Sequence, residues 1–288
     1  MAKITYDYSD KEKDVKKKEE RLNTINDLIE LMNDQKLIFL LFIPNMESIM
    51  DMIKKNIFRP LSNINKGSLD VCEASEEEEE EEEEKDPRWV HIRGIYQIFF
   101  NLINNEACDY SNLKQFITTN FISDFLQLFD SFLVEERHFL KLILHKIYAK
   151  SLPRRRMIRK AINDLFLSLL YEIHKFNGIS ELLQIMASII SGFGIPLREE
   201  HIIFFKNIII PLHKLQISNL YFDDLQTCSI LFLEKERNLS IHLLEGILKY
   251  WPLANYVKET LFLQELSEIL IFCDLEKFNL WLISYLIE

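Results

Sequence analysis

"GISELLQIMASIISGFGIPLREEHIIFFKNIIIPLHK", Gly178 to Lys214, decides the fold class. Its first half sets Ile179, Leu182, Leu183, Met186 and Ile190 at helical spacing, which makes one apolar stripe along one face. The "GFGIP" turn follows. There Gly192 and Gly194 free the backbone and Pro196 forbids continuation of the helix. A second helix is expected from about Arg198 to Ile210, with Pro211 as its stop. The unit is two amphipathic helices and a short turn.

The same spacing recurs on both sides. Pro153 and Pro196 lie 43 residues apart, and Pro211 and Pro252 lie 41 apart. A period of roughly 40 is that of stacked helix pairs, the HEAT and armadillo repeats. Helices are expected in "WVHIRGIYQIFFNLINN" from Trp89, in "KQFITTNFISDFLQLFDS" from Lys114, and from Glu135 to Lys150. Further ones are expected from Arg156 to Lys175, Phe222 to Glu236, and Ser240 to Tyr250, with Ser240 as N-cap and Pro252 as a stop. The expected fold is all-α, a HEAT/armadillo-like solenoid over residues 89–288. Ahead of it lie a charged tail (1–20) and an N-terminal helix pair (21–60), Arg21 to Phe42 with Met46 to Phe58. Residues 61–88 read as an acidic linker around the run Glu76–Glu84. Like charges in such a run repel and bury no apolar area, so disorder is expected. The closing "KFNLWLISYLIE" is apolar nearly all round, whereas a solenoid ends on a repeat with a polar outer face. Its second face is expected to need a cover.

Composition narrows the function. Six glycines in 288 residues argue against a loop-rich all-β chain and against a Gly-rich phosphate cradle. The net charge is −11, but the glutamate run carries nine of those charges and leaves about −2 for the rest. A body so near neutrality disfavours nucleic acid as a partner, because phosphate binding needs a basic face. Cys72, Cys108, Cys228 and Cys273 form no C-x-x-C pair and read as reduced thiols. "MAKITYDYSDKEKD" is too polar for a secretory signal, and the longest apolar run, Leu37 to Pro44, is too short to span a membrane. A soluble, intracellular protein is expected, cytoplasmic with the nucleus also open to it, and without a membrane partner.

Catalytic motifs are absent: there is no H-E-x-x-H, G-x-S-x-G, G-x-x-x-x-G-K-[ST] or G-x-G-x-x-G. Glu199, Glu200 and His201 are consecutive, so on a helix they diverge and cannot converge on one metal. His138 and His145 lie two turns apart without further ligands. No enzyme, cofactor or metal is expected. A binding groove is. His145 and Ile185 are 40 residues apart, which sets them side by side on neighbouring repeats of a solenoid. His145 shares a face with Tyr148, and Ile185 with Ile189. Lys146, Lys150, Arg155, Arg198 and His201 would ring such a slot with cations, suiting an extended peptide with apolar anchors and a carboxylate or phosphate. Plain core packing of the same apolar residues is the competing account.

"GFGIPLREEH", "PLHK" and "LKYWP", with "FLEKERNL" and "KETLFLQELSEIL" in the same order, closely resemble the B-prime class of regulatory subunits of type 2A serine/threonine protein phosphatase. The resemblance runs from about Asn56 to Cys273. It implies a non-catalytic regulator that binds the phosphatase scaffold and catalytic subunits and recruits substrates through Leu-x-x-Ile-x-Glu motifs. The family's groove positions fall unchanged on His145, Tyr148, Arg155, Ile185, Ile189 and His201. An arginine of the family becomes Lys146, a lysine becomes Arg198, and a threonine beside the slot becomes Leu142. Lys146 loses the bidentate fork, so preference for a phosphorylated motif is expected to weaken. The family also places an acidic segment before a Trp that matches Trp89, and it continues with further repeats beyond Cys273. An armadillo-like adaptor that kept the groove but lost the phosphatase is the second reading.

Overall fold

The computed structural model describes residues 13–32, 34–61, 88–106, 108–171 and 176–287. The Glu76–Glu84 run, expected to be disordered, lies outside them. The chain divides into two compact units, Met1–Ala161 and Ile162–Glu288. Among the described residues there are helices and turns and no strand.

The first unit holds α1 (Val15–Leu31), α2 (Met46–Ile57), α3 (Trp89–Asn104), α4 (Thr119–Gln127), α5 (Val134–Lys150) and the start of α6 (Arg155–Tyr171). Helix α3 is its hub. Ile92, Ile95, Tyr96, Phe99, Leu102 and Ile103 recur three and four apart, all are buried, and α1, α2 and α5 pack on this helix. Gly94 lets α1 approach closely, since a Cβ there would stand 2.3 Å from Ile25 Cγ2. Gly94→Ala is therefore expected to destabilise by about 1–3 kcal/mol through overpacking, despite alanine's better helix propensity. A thermal melt of Gly94→Ala alone and on an Ile25→Ala background tests this. The penalty should shrink in the pair, and equal penalties would place the clash elsewhere.

One carboxylate ties the unit together. Glu136, wholly buried at the start of α5, accepts a fork from Arg59 (2.7 and 2.9 Å), the Tyr96 hydroxyl (2.7 Å) and the Ser131 hydroxyl (2.6 Å). Its neighbour Glu135 accepts from the Trp89 indole N–H at 2.8 Å and pairs with Arg93 at 2.7 Å.

The second unit holds α7 (Ile179–Ser191), α8 (Glu199–Phe204), α9 (Phe222–Lys235), α10 (Leu239–Lys249), α11 (Tyr256–Phe272) and α12 (Leu275–Ile287). Helix α7 lies along α9, and α9 and α10 pack on α11. Leu263, Leu270, Ile271 and Leu275 stand exposed toward the end of the chain.

The repeat period is written in the hydrogen bonds. In the first unit Tyr96 reaches Glu136, 40 residues on, and Lys150 reaches the Cys108 carbonyl, 42 back. In the second unit Gln184 reaches Asp224 (40), Cys228 the Leu183 carbonyl (45), Lys235 the Ser191 carbonyl (44) and Lys258 the Leu215 carbonyl (43). Each bond joins equivalent places one helix pair apart, as stacked repeats require.

Several boundaries differ from expectation. Helix α1 starts at Val15 instead of Arg21 and ends at Leu31, because Asp34 accepts the Lys36 N–H (2.8 Å) and starts a separate turn that continues as a π-helix, Ile38–Phe42. Helix α4 begins at Thr119, not Lys114, since Thr118 caps it by accepting the Phe121 N–H (3.2 Å). Pro211 does not stop its helix. Residues Phe205–Ile209 form a π-turn and the chain runs on through Pro211 to Leu212. A proline needs no N–H where the turn is already widened, so the missing donor is absorbed. Ser240 is not an N-cap. It is buried inside α10, whose cap position is Asn238. Gly192 has φ −83°, and no glycine among the described residues takes positive φ, so the turn draws on no left-handed backbone.

Candidate functional site

The eight groove residues divide evenly between the units. In the first, His145 is exposed on α5, and Lys146 and Tyr148 are half-buried beside it. Arg155 folds back onto Tyr148 and the end of α5. Its Nε donates to the Tyr148 carbonyl (3.1 Å), Nη2 donates to the Ala149 carbonyl (3.2 Å), and the guanidinium lies 5.0 Å above the Tyr148 ring. A cation on the last carbonyls of α5 complements the helix dipole, and one over a phenol ring gains a cation–π contact. Arg159 Nη1 donates to the Tyr148 hydroxyl at 3.2 Å. Tyr148 is thus clamped at ring and oxygen by two arginines one helical turn apart. Arg159 escaped the sequence reading, and its i,i+4 spacing from Arg155 was the available signal.

Lys150, one turn on from Lys146, is directed to backbone carbonyls. Its ammonium donates to the carbonyls of Cys108 (2.8 Å) and Asn105, and burial lowers its pKa. Leu142 is half-buried.

In the second unit Ile185 and Ile189 are buried on α7, 1% and 4% exposed. Arg198 is exposed just before α8, with extended backbone, and Glu199 and Glu200 follow in the first turn. Those two carboxylates suit the positive end of the helix and offset the neighbouring cation. His201 lies flat on the Phe193 ring, centroids 3.6 Å apart and planes within 1°, with Nε2 3.4 Å from a Glu200 oxygen. Phe193 is the residue that fixes the imidazole plane. In sequence it looked like part of a turn, and only the neighbouring glycines drew notice.

Among the described residues no three His, Cys, Asp or Glu side chains are grouped to hold a metal ion, and no helix is long and apolar enough to cross a membrane. The described cysteines Cys108, Cys228 and Cys273 are free thiols, and burial raises Cys108 to about 11.

Helix pairs hydrogen-bonded at a 40-residue period, carrying clamped polar side chains, define a repeat protein of the all-α, HEAT/armadillo-like class. The sequence model of the protein phosphatase 2A regulatory B subunit (B56 family) matches residues 1–286, past both ends of the resemblance read from the sequence. The chain belongs to that family, one of regulatory and not catalytic subunits. It is 37% identical over 264 residues to the 2A 56 kDa regulatory subunit delta isoform of Saccharomyces cerevisiae, covering 92% of this chain and 34% of that protein. It is 37% identical over 268 residues to the 56 kDa regulatory subunit delta 1 isoform of Schizosaccharomyces pombe, covering 93% and 48%. The human 56 kDa beta isoform is 36% identical over 267 residues, covering 93% and 52%. The chain spans about half the length, or less, of these relatives.

Proposed function

We propose that this chain acts in signal transduction as a regulatory subunit of protein phosphatase 2A. In this reading it binds the scaffold and catalytic subunits and recruits substrates through Leu-x-x-Ile-x-Glu segments, in the cytoplasm and with access to the nucleus. The observation that carries it is the Tyr148 clamp. Arg155 and Arg159 hold a phenol in one orientation, and pre-organised side chains of this kind lower the entropic cost of gripping an extended peptide. The residues proposed to act with them are His145 and Lys146 in the first unit and Ile185, Ile189, Arg198 and His201 in the second, with Arg198 and His201 proposed for the motif's glutamate.

A charge-assisted hydrogen bond contributes about 1.5–3 kcal/mol, so Arg198→Ala is expected to weaken a motif peptide by roughly ten- to a hundredfold. Titration of a labelled peptide against both proteins measures it, and unchanged affinity removes Arg198 from the site. Co-purification decides the larger point. A stoichiometric catalytic subunit supports the regulator. A chain that binds motif peptides yet captures no phosphatase is an adaptor.

A further inference from the structure

Helices α1 and α2 each pack on α3 more closely than on one another. Gly94 of α3 admits Ile25 of α1 against bare backbone. One turn along α3 comes Ile98, a branched side chain in place of the glycine. There a cavity of about 370 Å³ separates α1 from α2. It lies wholly in the first unit and shares no residue with the motif site.

Its floor is Ile98 with Phe42, the last residue of the π-helix, and both are buried. Leu28 of α1 and Ile49 and Met52 of α2 are its half-buried walls. The unbranched thioether of Met52 makes one wall adaptable in shape. An apolar cavity of roughly 150 Å³ takes up benzene, and small-ligand pockets start at about 300 Å³, so this one has room for a larger body. The mouth is polar. It carries Thr24 of α1 and Ser48, Asp51 and Lys55 of α2, all exposed. Asp51 and Lys55 pair across 2.6 Å and offset each other's charge. The Thr24 hydroxyl donates its proton to the Glu20 carbonyl (2.7 Å), which leaves it an acceptor toward the cavity, while a serine hydroxyl can donate or accept.

We infer that this cavity binds a small uncharged amphiphile, a hydrocarbon body with a hydroxyl or primary amide head. The walls select the body, since apolar surface leaves water there. The mouth selects the head. A carboxylate would face Asp51 and an ammonium would face Lys55, whereas a neutral donor meets the Thr24 oxygen and either kind of group meets Ser48. The surroundings select a small molecule over a protein. Protein interfaces are depleted of Lys, Glu and Asp at their centres. Beside the mouth residues in the chain stand the exposed Glu20, Asp27 and Glu47, in addition to Asp51 and Lys55. The inference uses neither the Tyr148 clamp nor Arg198, so it stands or falls apart from the motif reading.

The test is NMR of the full chain with isotope-labelled methionine methyls, the Met52 signal being assigned through Met52→Leu. The probes are 1-octanol, octanoate and octylammonium, which share a body and differ in the head. Octanol should shift the Met52 methyl saturably and leave Met186, in the second unit, unmoved. Octanoate and octylammonium should each bind about tenfold more weakly, the effect of setting like charges together. Thr24→Trp sets a ring across the mouth from an exposed helix position, so the octanol shift should vanish while the thermal midpoint holds. Ser48→Phe blocks the same mouth from α2 and decides the point if the first variant unfolds. A Met52 shift that does not saturate, or that moves in step with Met186, is mere partitioning and overturns the inference. So does a charged probe that binds as tightly as octanol, or octanol binding undiminished in the blocked variants. Displacement of octanol by a tighter-binding leucine-bearing amphipathic peptide would make the cavity a protein-docking site and overturn it as well.

Discussion

Glu136→Ala should unfold the first unit under conditions where the parent is intact, with a loss of about 3–5 kcal/mol, the usual cost of breaking a buried ion pair from one side. The carboxylate is wholly buried and accepts four hydrogen bonds, from Arg59 twice, Tyr96 and Ser131. Its removal strands a guanidinium that is itself 12% exposed and a phenol that burial and the Glu136 charge hold protonated. Against a total stability of ~5–15 kcal/mol this is a large fraction. Glu136→Gln should cost less, since the amide still accepts from Tyr96 or Ser131 but sets an N–H₂ toward Arg59. Arg59→Met with Glu136→Met should cost less than the sum of the singles, because no lone charge remains. Denaturant melts with limited proteolysis of the first unit measure the parent, the two Glu136 variants, and the methionine pair with its two singles. A Glu136→Ala loss under about 1 kcal/mol would show the network to be incidental.

Stability should also fall as pH rises above 6.5, owing to His213. The ring is buried with Nδ1 3.0 Å from the Ile210 carbonyl and Nε2 3.1 Å from a Glu265 oxygen, the edges of Phe222 and Phe262 closing around it. Both nitrogens face acceptors, so the pair must hold one proton more than a neutral imidazole beside a carboxylate. Burial opposes the charged ring. The Glu265 charge, the hydrogen bond to it and the carbonyls of Ile210 and Ile209 outweigh burial and raise the pKa above 6.5. With the folded pKa raised, the contribution is complete below 6.5 and is lost as pH climbs through the folded value, at no more than ~1.4 kcal/mol per pH unit for one proton. Lys258 works in the opposite sense: burial lowers it to about 8, so above that pH the unfolded chain binds more protons and stability gains. The decline is therefore sought between pH 6.5 and 8. Thermal midpoints of the parent should slope downward there, and those of Glu265→Gln with His213→Gln should be flat. Parallel slopes in both proteins would exclude the pair.

Helix positions and the repeat period were legible because both follow from the spacing of apolar residues and prolines along the chain. The breaks were not. Pro211 reads as a stop, and only the π-turn ahead of it shows why the helix continues. The candidate site was legible as a set of residues, and less so as an arrangement. Lys150 looks like a free cation one turn from Lys146, yet it turns to carbonyls 42 and 45 residues away. Phe193 and Arg159 matter through one contact each, which spacing does not single out.

The paired carboxylates at the start of α5 have one more effect. Arg59 is held by Glu136 and Trp89 by Glu135, so two residues 30 apart in sequence are anchored on adjacent residues of α5. The distance between those two anchors is set by α5 and not by the number of residues that separate them. A reporter domain spliced between these two anchors is therefore expected to leave the helices on either side in place, because each anchor is held by α5 itself.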